Sequence, residues 1–271
     1  MVLWNRDGSW GRVHSAPAGF TMPMPVDENR SGTVLLSAYG LGDQAAPVFV
    51  YSGGHEGAGV YRALPTPEGF RSVWPEAINN RGDALGHVFP ADGADDSAVL
   101  WPADGSPPVV IDLPPDNELV QVVDLDDDGT ALLHLAQGPH LWRNGHLTKL
   151  AHPAGYWTPW ANSIRDGRVV GHARTDDGQA TYQGFLWSTP DQPQPIKNNA
   201  VGEDINKYGL VIGRATIEST GAVWLGTIPL GDLPNNGTAN RVSDDNSILG
   251  TQYDGSYAVW RWRCTTTRRS G

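Results

Sequence analysis

The chain has 271 residues, enough for one large β domain or two smaller ones, and only 18% of them are charged. A net charge of -11 argues against nucleic acid as a partner, because phosphate backbones are bound through basic footprints. The single cysteine, Cys264, excludes a disulfide framework within the chain, and 39% hydrophobic residues with 11 Trp argue against disorder.

The N-terminus, Met1 to Asp7, has no basic segment followed by an apolar one, so no signal peptide is expected. No apolar run approaches the roughly 18 residues of a membrane span. The expectation is a monomer without a membrane partner, cytoplasmic as written and extracellular if the N-terminus has been trimmed. Residues 2–14 resemble 141–150 and are predicted as a hairpin of two strands.

Six copies of one motif then follow. They are Val26 to Ser37, Ala77 to His87, Asp124 to His134, Ala161 to His172, Asp204 to Arg214, and Val242 to Thr251. The turn residues Gly32, Gly82, Gly129, Gly167, Gly209 and Asn246 recur about every 43 positions. Asn is the natural substitute for Gly where φ is positive. An apolar, β-branched strand leaves each turn, and a loop rich in Gly, Asp and Ser follows. A third segment then ends in an aromatic: Tyr51, Trp101, Trp142, Trp187, Trp224 or Trp260. A weaker strand closes the unit, as in 109–113 and 147–150. Four short strands in 40 to 50 residues are the signature of propeller blades. Strands apolar on both faces suit blades that bury both faces, with the aromatic wedged between neighbours.

The predicted fold is therefore all-β, a six-bladed β-propeller in a single domain over 1–271, with 260–271 as a frayed tail. Predicted strands number six sets of four and one over. We therefore expect the ring to be closed by the N-terminal strands, whereas seven blades would leave three strands missing.

Ile205-Asn206-Lys207-Tyr208-Gly209-Leu210-Val211-Ile212-Gly213, with Gly184-Phe185-Leu186-Trp187, resembles the bacterial HAF-repeat proteins, often labelled extracellular repeat proteins. The likeness runs along essentially the whole chain. It implies a propeller of bacterial origin, and it implies no activity. The absence of an export signal departs from the family's label.

The position after the glycine of the second strand reads Ser37, His87, His134, His172, Arg214 and Thr251 along the copies. Nothing in blade packing calls for imidazole there. Counting outward from the turns sets His87 opposite Trp74, and His172 opposite 157–159. Both then lie at the end of the channel where the blade-to-blade loops bring Met22, Met24, Trp74, Glu76, Tyr156, Trp157 and Trp160. An apolar pocket with a few polar groups is the usual form of a small-molecule site.

Three readings of the histidines stand side by side. They pack between blades, transfer protons with Arg214 holding an anion, or ligate a divalent metal as a trio. Glu76 and Glu203 fall on first strands, as solvated lining or as a carboxylate pair. Asp124-Leu125-Asp126-Asp127-Asp128-Gly129 spells a calcium-loop start, but Leu132 and Leu135 stand where further oxygen donors belong. Asn236-Gly237-Thr238 matches a glycosylation sequon without other signs of a eukaryotic secretory route. The first functional expectation is a cofactor-free small-molecule enzyme, a lyase, cyclase or isomerase of specialised metabolism. In it His87, His134 and His172 transfer protons, Arg214 binds an anionic group, and Met22, Met24, Trp74, Glu76, Tyr156, Trp157, Trp160 and Glu203 line the substrate. The alternative is a non-catalytic binding propeller for a glycan, a peptide or a partner protein.

Overall fold

A computed structural model describes residues 1–3, 11–40, 47–157, 159–175, 181–216 and 220–262. Most of the expected tail and Cys264 lie outside the described residues. The fold is an all-β, six-bladed β-propeller. A short hairpin, β1 (Val2–Leu3) and β2 (Arg12–Val13), precedes the blades. Blade 1 is β3 (Phe20–Glu28), β4 (Val34–Gly40), β5 (Val48–Ser52) and β6 (Val60–Leu64). Blade 2 is β7 (Phe70–Ile78), β8 (Ala84–Pro90), β9 (Ser97–Trp101) and β10 (Val109–Ile111). Blade 3 is β11 (Leu119–Leu125), β12 (Ala131–Leu135), β13 (Gly138–Arg143) and β14 (His146–Lys149). Blade 4 is β15 (Trp160–Arg165), β16 (Arg168–Arg174), β17 (Tyr182–Trp187) and β18 (Pro193–Pro195). Blade 5 is β19 (Val201–Ile205), β20 (Leu210–Arg214), β21 (Gly221–Leu225) and β22 (Ile228–Asp232). Blade 6 is β23 (Thr238–Val242), β24 (Ser247–Thr251) and β25 (Tyr257–Arg261). Every described pairing is antiparallel between sequential strands. The chain divides into two compact units, 1–150 and 151–271. No helix among the described residues is long and apolar enough to cross a membrane.

Closure by the N-terminal strands is not among the described pairings. β1 pairs with β2 alone, and blade 6 has three strands. The ladder of β1 is two residues long, and Leu3 is buried with Val34, Leu36 and Tyr51 of blade 1.

The cores lie between neighbouring blades, which is why the strands are apolar on both faces. Leu35, Val48 and Val50 of blade 1 pack with Val73, Ile78 and Val99 of blade 2. Val170 and Leu186 of blade 4 pack with Ile205, Val211 and Trp224 of blade 5. The repeated aromatics are the wedges: Trp101, Trp187 and Trp224 are at most 2% exposed. Each buried indole also needs a partner for its N–H. Trp101 Nε1 donates to Pro65 O (2.8 Å), Trp187 Nε1 to Ala151 O (3.0 Å) and Trp224 Nε1 to Lys197 O (2.9 Å).

The recurring Ile-Asn turn has a physical explanation beyond its glycine. Asn79 Oδ1 accepts from the N–H groups of Arg81 (3.0 Å) and Asp83 (2.9 Å), closing its own turn. Asn79 Nδ2 donates to Asp126 O in the next blade (3.0 Å). Asn29 donates likewise to Asn79 O (3.0 Å), and Asn206 to Ser243 O (3.0 Å). The amide offers an acceptor to its own turn and a donor to its neighbour's at once. The acidic run 126–128 serves the same belt. Asp127 accepts from the Asn80 N–H (2.9 Å), and Asp128 pairs with Arg143 (2.6 Å), so the stretch is a repeat turn.

Candidate functional site

A β-bulge in each first strand creates an equivalent position that is polar in four of the six blades. Pairing skips one residue near the turn, leaving Val26, Glu76, Val123, Asn162, Glu203 and Asn240 without a ladder partner. A bulge re-aims the side chain it carries. Opposite it, four blades place Gly86, Gly171, Gly213 and Gly250, because the first strand's backbone comes too close for a Cβ. A Cβ on Gly213 would stand 2.0 Å from Val201 O, and one on Gly171 would stand 2.1 Å from Trp160 O. The Val-Val-Gly of the repeat is thus the mark of the bulge.

The next residue of the second strand is the one singled out from the sequence. Ser37, His87, His134, His172, Arg214 and Thr251 do occupy equivalent sites, opposite Met24, Trp74, Gln121, Trp160, Val201 and Thr238. His87 faces Trp74 across the ladder as the count from the turn required. His172 is opposite Trp160 instead of 157–159. The fourth turn is tighter than its relatives: Asp166 (φ 52°) and Gly167 (φ 72°) form a two-residue hairpin.

In residues 1–150, His87 lies flat on Phe89, with ring centres 4.6 Å apart and planes 7° apart. Its Nε2 is 3.2 Å from Asp96 Oδ2. Burial holds the His87 pKa below its ordinary value, against the opposing pull of Asp96. Trp74 meets the edge of Phe89 at 5.0 Å and is otherwise exposed. Met22 and Met24 are exposed on β3. Glu76, the bulge residue, has no hydrogen-bond or ion-pair partner among the described residues, and burial pushes its carboxyl up to about 7. His134 is 2% exposed, on a strand whose every residue is buried. That placement fits the packed reading of this imidazole.

In residues 151–271 the same positions carry partners. Arg214 Nη2 and Nε lie 3.0 and 3.2 Å from Glu203 Oε1. The Asn162 amide reaches Gly202 O (2.6 Å) and His172 Nδ1 (3.3 Å). His172 also approaches Tyr182, with ring centres 5.8 Å apart. Tyr156 packs edge-on against Phe185 at 5.0 Å, Arg174 lies 5.6 Å over the Trp157 ring, and Trp160 is exposed on β15. Asp204 fixes the backbone behind the bulge. Its carboxylate accepts from Ser163 Oγ (2.7 Å), the Ile205 N–H (2.8 Å) and the Val242 N–H (2.7 Å), linking three blades. Burial pushes the Asp204 pKa up, and these hydrogen bonds oppose the rise.

A cavity of about 390 Å³ opens between blades 5 and 6, lined by Glu203, Arg214, Thr238, Ala239, Asn240 and Arg241. Arg241 Nη1 donates to Asn240 O (3.0 Å), and the hydroxyls of Thr238 and Thr251 are 2.6 Å apart. Two of these residues, Glu203 and Arg214, were expected from the sequence. Thr238, Asn240 and Arg241 were missed, although laying Thr238–Val242 on Val201–Ile205 puts Asn240 at the position of Glu203. Among the described residues no three His, Cys, Asp or Glu side chains gather as a metal ion requires.

No protein-family model matches the sequence, and neither does any curated protein. Solved structures are similar at low identity. Prolyl oligopeptidase B from Galerina marginata is 12% identical with a TM-score of 0.62, over 96% of this chain and 44% of that one. The β-propeller domain of the Trilobed protease from Pyrococcus furiosus, described as having an open velcro topology, is 12% identical with a TM-score of 0.60, over 92% and 82%. A prolyl endopeptidase is 16% identical with a TM-score of 0.55, over 90% and 42%. The chain thus spans less than half the length of the two peptidases it matches. At these identities the likeness is one of fold.

Proposed function

We propose that this protein binds a small organic ligand carrying an anionic group, held in the cavity between blades 5 and 6. The observation that carries the reading is that Arg214, Arg241, Thr238 and Asn240 line one cavity with a single carboxylate, Glu203. Glu203 holds the Arg214 guanidinium by two of its nitrogens, so that group is presented in a fixed orientation. Arg241 spends one bond on the Asn240 carbonyl and keeps further N–H groups for a ligand. A volume of about 390 Å³ suits a metabolite-sized molecule.

Calorimetric titration with short carboxylic acids and their neutral amides tests this. Acids should bind and amides should not. Arg241→Ala should weaken binding about tenfold or more, because a hydrogen bond to a charged group is worth roughly 1.5–3 kcal/mol. Equal binding of acids and amides, or an unchanged Kd in Arg241→Ala, would sink the reading.

A second reading, proton transfer on a small molecule as in a lyase, cyclase or isomerase, is favoured by Glu76. An unpartnered carboxyl raised to about 7 is matched to acid–base work at neutral pH. His87, held by Asp96, stands opposite Trp74 on the same pair of strands. Turnover that survives Glu76→Gln would exclude this role.

A further inference from the structure

A second cavity, of about 340 Å³, lies between blades 1 and 2 and is lined by Thr33, Val50, Ser52, Val60, Arg62, Arg81, Gly82 and Ala103. No carboxylate is among its lining residues, in a chain whose net charge is -11. The Arg62 side chain has no hydrogen bond or ion pair among the described residues. Arg81 is held through Nε and Nη2 by Asp83 Oδ2 (3.0 and 2.6 Å), which leaves Nη1 over. Thr33 Oγ1 and Ser52 Oγ share a hydrogen bond of 3.2 Å, which spends the O–H of one of the two hydroxyls.

The wall is built by a buried residue outside the cavity. Asp83 accepts from Arg81 and from Asn79 Nδ2 (2.9 Å) through Oδ2, and from the Ala103 N–H (2.9 Å) through Oδ1. It thereby fixes Arg81 and the turn at Ala103, two residues that line the space. Asn79 is in turn tied to the belt of turns, so Arg81 is aimed by the repeat itself.

We propose that this cavity is a separate ligand site for a phosphate or sulfate monoester. Two arginines, with a hydroxyl pair beside them, offer more N–H groups than a single carboxylate can use, and they suit the three terminal oxygens of such an ester. The side chains of Val50, Val60 and Ala103 supply apolar surface for the esterified group. The site shares no residue with the cavity of blades 5 and 6.

Titration calorimetry of the full chain with inorganic phosphate, phenyl phosphate and benzyl alcohol, at matched ionic strength, tests the assignment. Phenyl phosphate should bind, inorganic phosphate more weakly, and benzyl alcohol not at all. Arg62→Met should weaken phenyl phosphate at least tenfold with an unchanged unfolding midpoint. Arg71→Met, on an exposed arginine of β7 outside the cavity, should change nothing, and the loss caused by Arg62→Met should persist in an Arg241→Ala background. Phosphate binding equal to that of phenyl phosphate would mark a free-anion site and overturn the monoester assignment. No binding by the parent protein, an unchanged affinity in Arg62→Met, or an equal loss in Arg71→Met would overturn the site altogether.

Discussion

Glu76 and Glu203 occupy one structural position, the bulge of the first strand, in blades 2 and 5, yet they live in different chemistry. Glu203 is bound by Arg214, the residue just past the glycine of its second strand. The counterpart of Arg214 in blade 2 is His87, which lies on Phe89 and turns its Nε2 to Asp96. Glu76 is therefore left without a partner, and burial raises its carboxyl to about 7. The backbone supplies the position, and one side chain opposite decides whether the carboxylate there is an ion-pair partner or a titrating acid.

The largest effect should come from breaking the backbone that the two blades share. A Cβ at position 213 meets Val201 O at 2.0 Å, and one at position 86 meets Trp74 O at 2.6 Å. Both contacts are to main chain, which cannot swing aside. Gly213→Ala should lose about 3 kcal/mol in chemical denaturation, and Gly86→Ala somewhat less. Equal stability of either variant and the parent would show that the bulge does not require glycine.

A smaller effect should convert blade 2 into a copy of blade 5. His87→Arg places a guanidinium where Arg214 stands. An opposite charge within reach lowers a carboxyl by about 1–3 pH units. The Glu76 carboxyl, followed by NMR, should therefore fall from about 7 toward its ordinary 4.5. A Glu76 titration that stays near its starting point would show that partner identity does not separate the two blades.

The repeat was legible because its turn residues recur and its aromatics fall at fixed distances after them. Tyr51, Trp101, Trp187 and Trp224 are buried where a wedge should be. The equivalence of His87, His134, His172 and Arg214 was legible for the same reason. Their surroundings were not. A bulge adds one residue to one strand without altering the hydrophobic pattern, and its mark in the sequence, the glycine on the opposite strand, is read only once the close backbone contact is seen, so Glu76, Asn162, Glu203 and Asn240 were not recognised as one set. His134 stands among Leu132, Leu133 and Leu135, and only packing shows that all four are buried. The cavity residues come from two neighbouring blades, with Glu203 and Asn240 37 positions apart, so local sequence did not bring them together. Strand counting suggested how the ring closes. It could not foresee that Leu3 would be buried against blade 1.

The smallest expected effect is on stability as a function of pH, and it tests whether Glu76 is the unpaired member of the two. Its folded pKa, about 7, lies above the ordinary 4.5, so between these values the native state holds a proton that the unfolded chain has lost. The contribution is fully present below about 4.5 and disappears as pH rises through about 7. Solvent screens a half-buried group, so the loss is on the order of 1 kcal/mol. His87, held below 6.5 by burial, contributes a slope of opposite sign at acidic pH. Glu76→Gln keeps that slope and removes only the glutamate's. Subtracting the two denaturation profiles from pH 4 to 9 should therefore leave a single step centred between 4.5 and 7, with Glu76→Gln gaining on the parent at alkaline pH. A flat difference would mean that Glu76 is as well compensated as Glu203, and the contrast between the blades would have to be sought elsewhere.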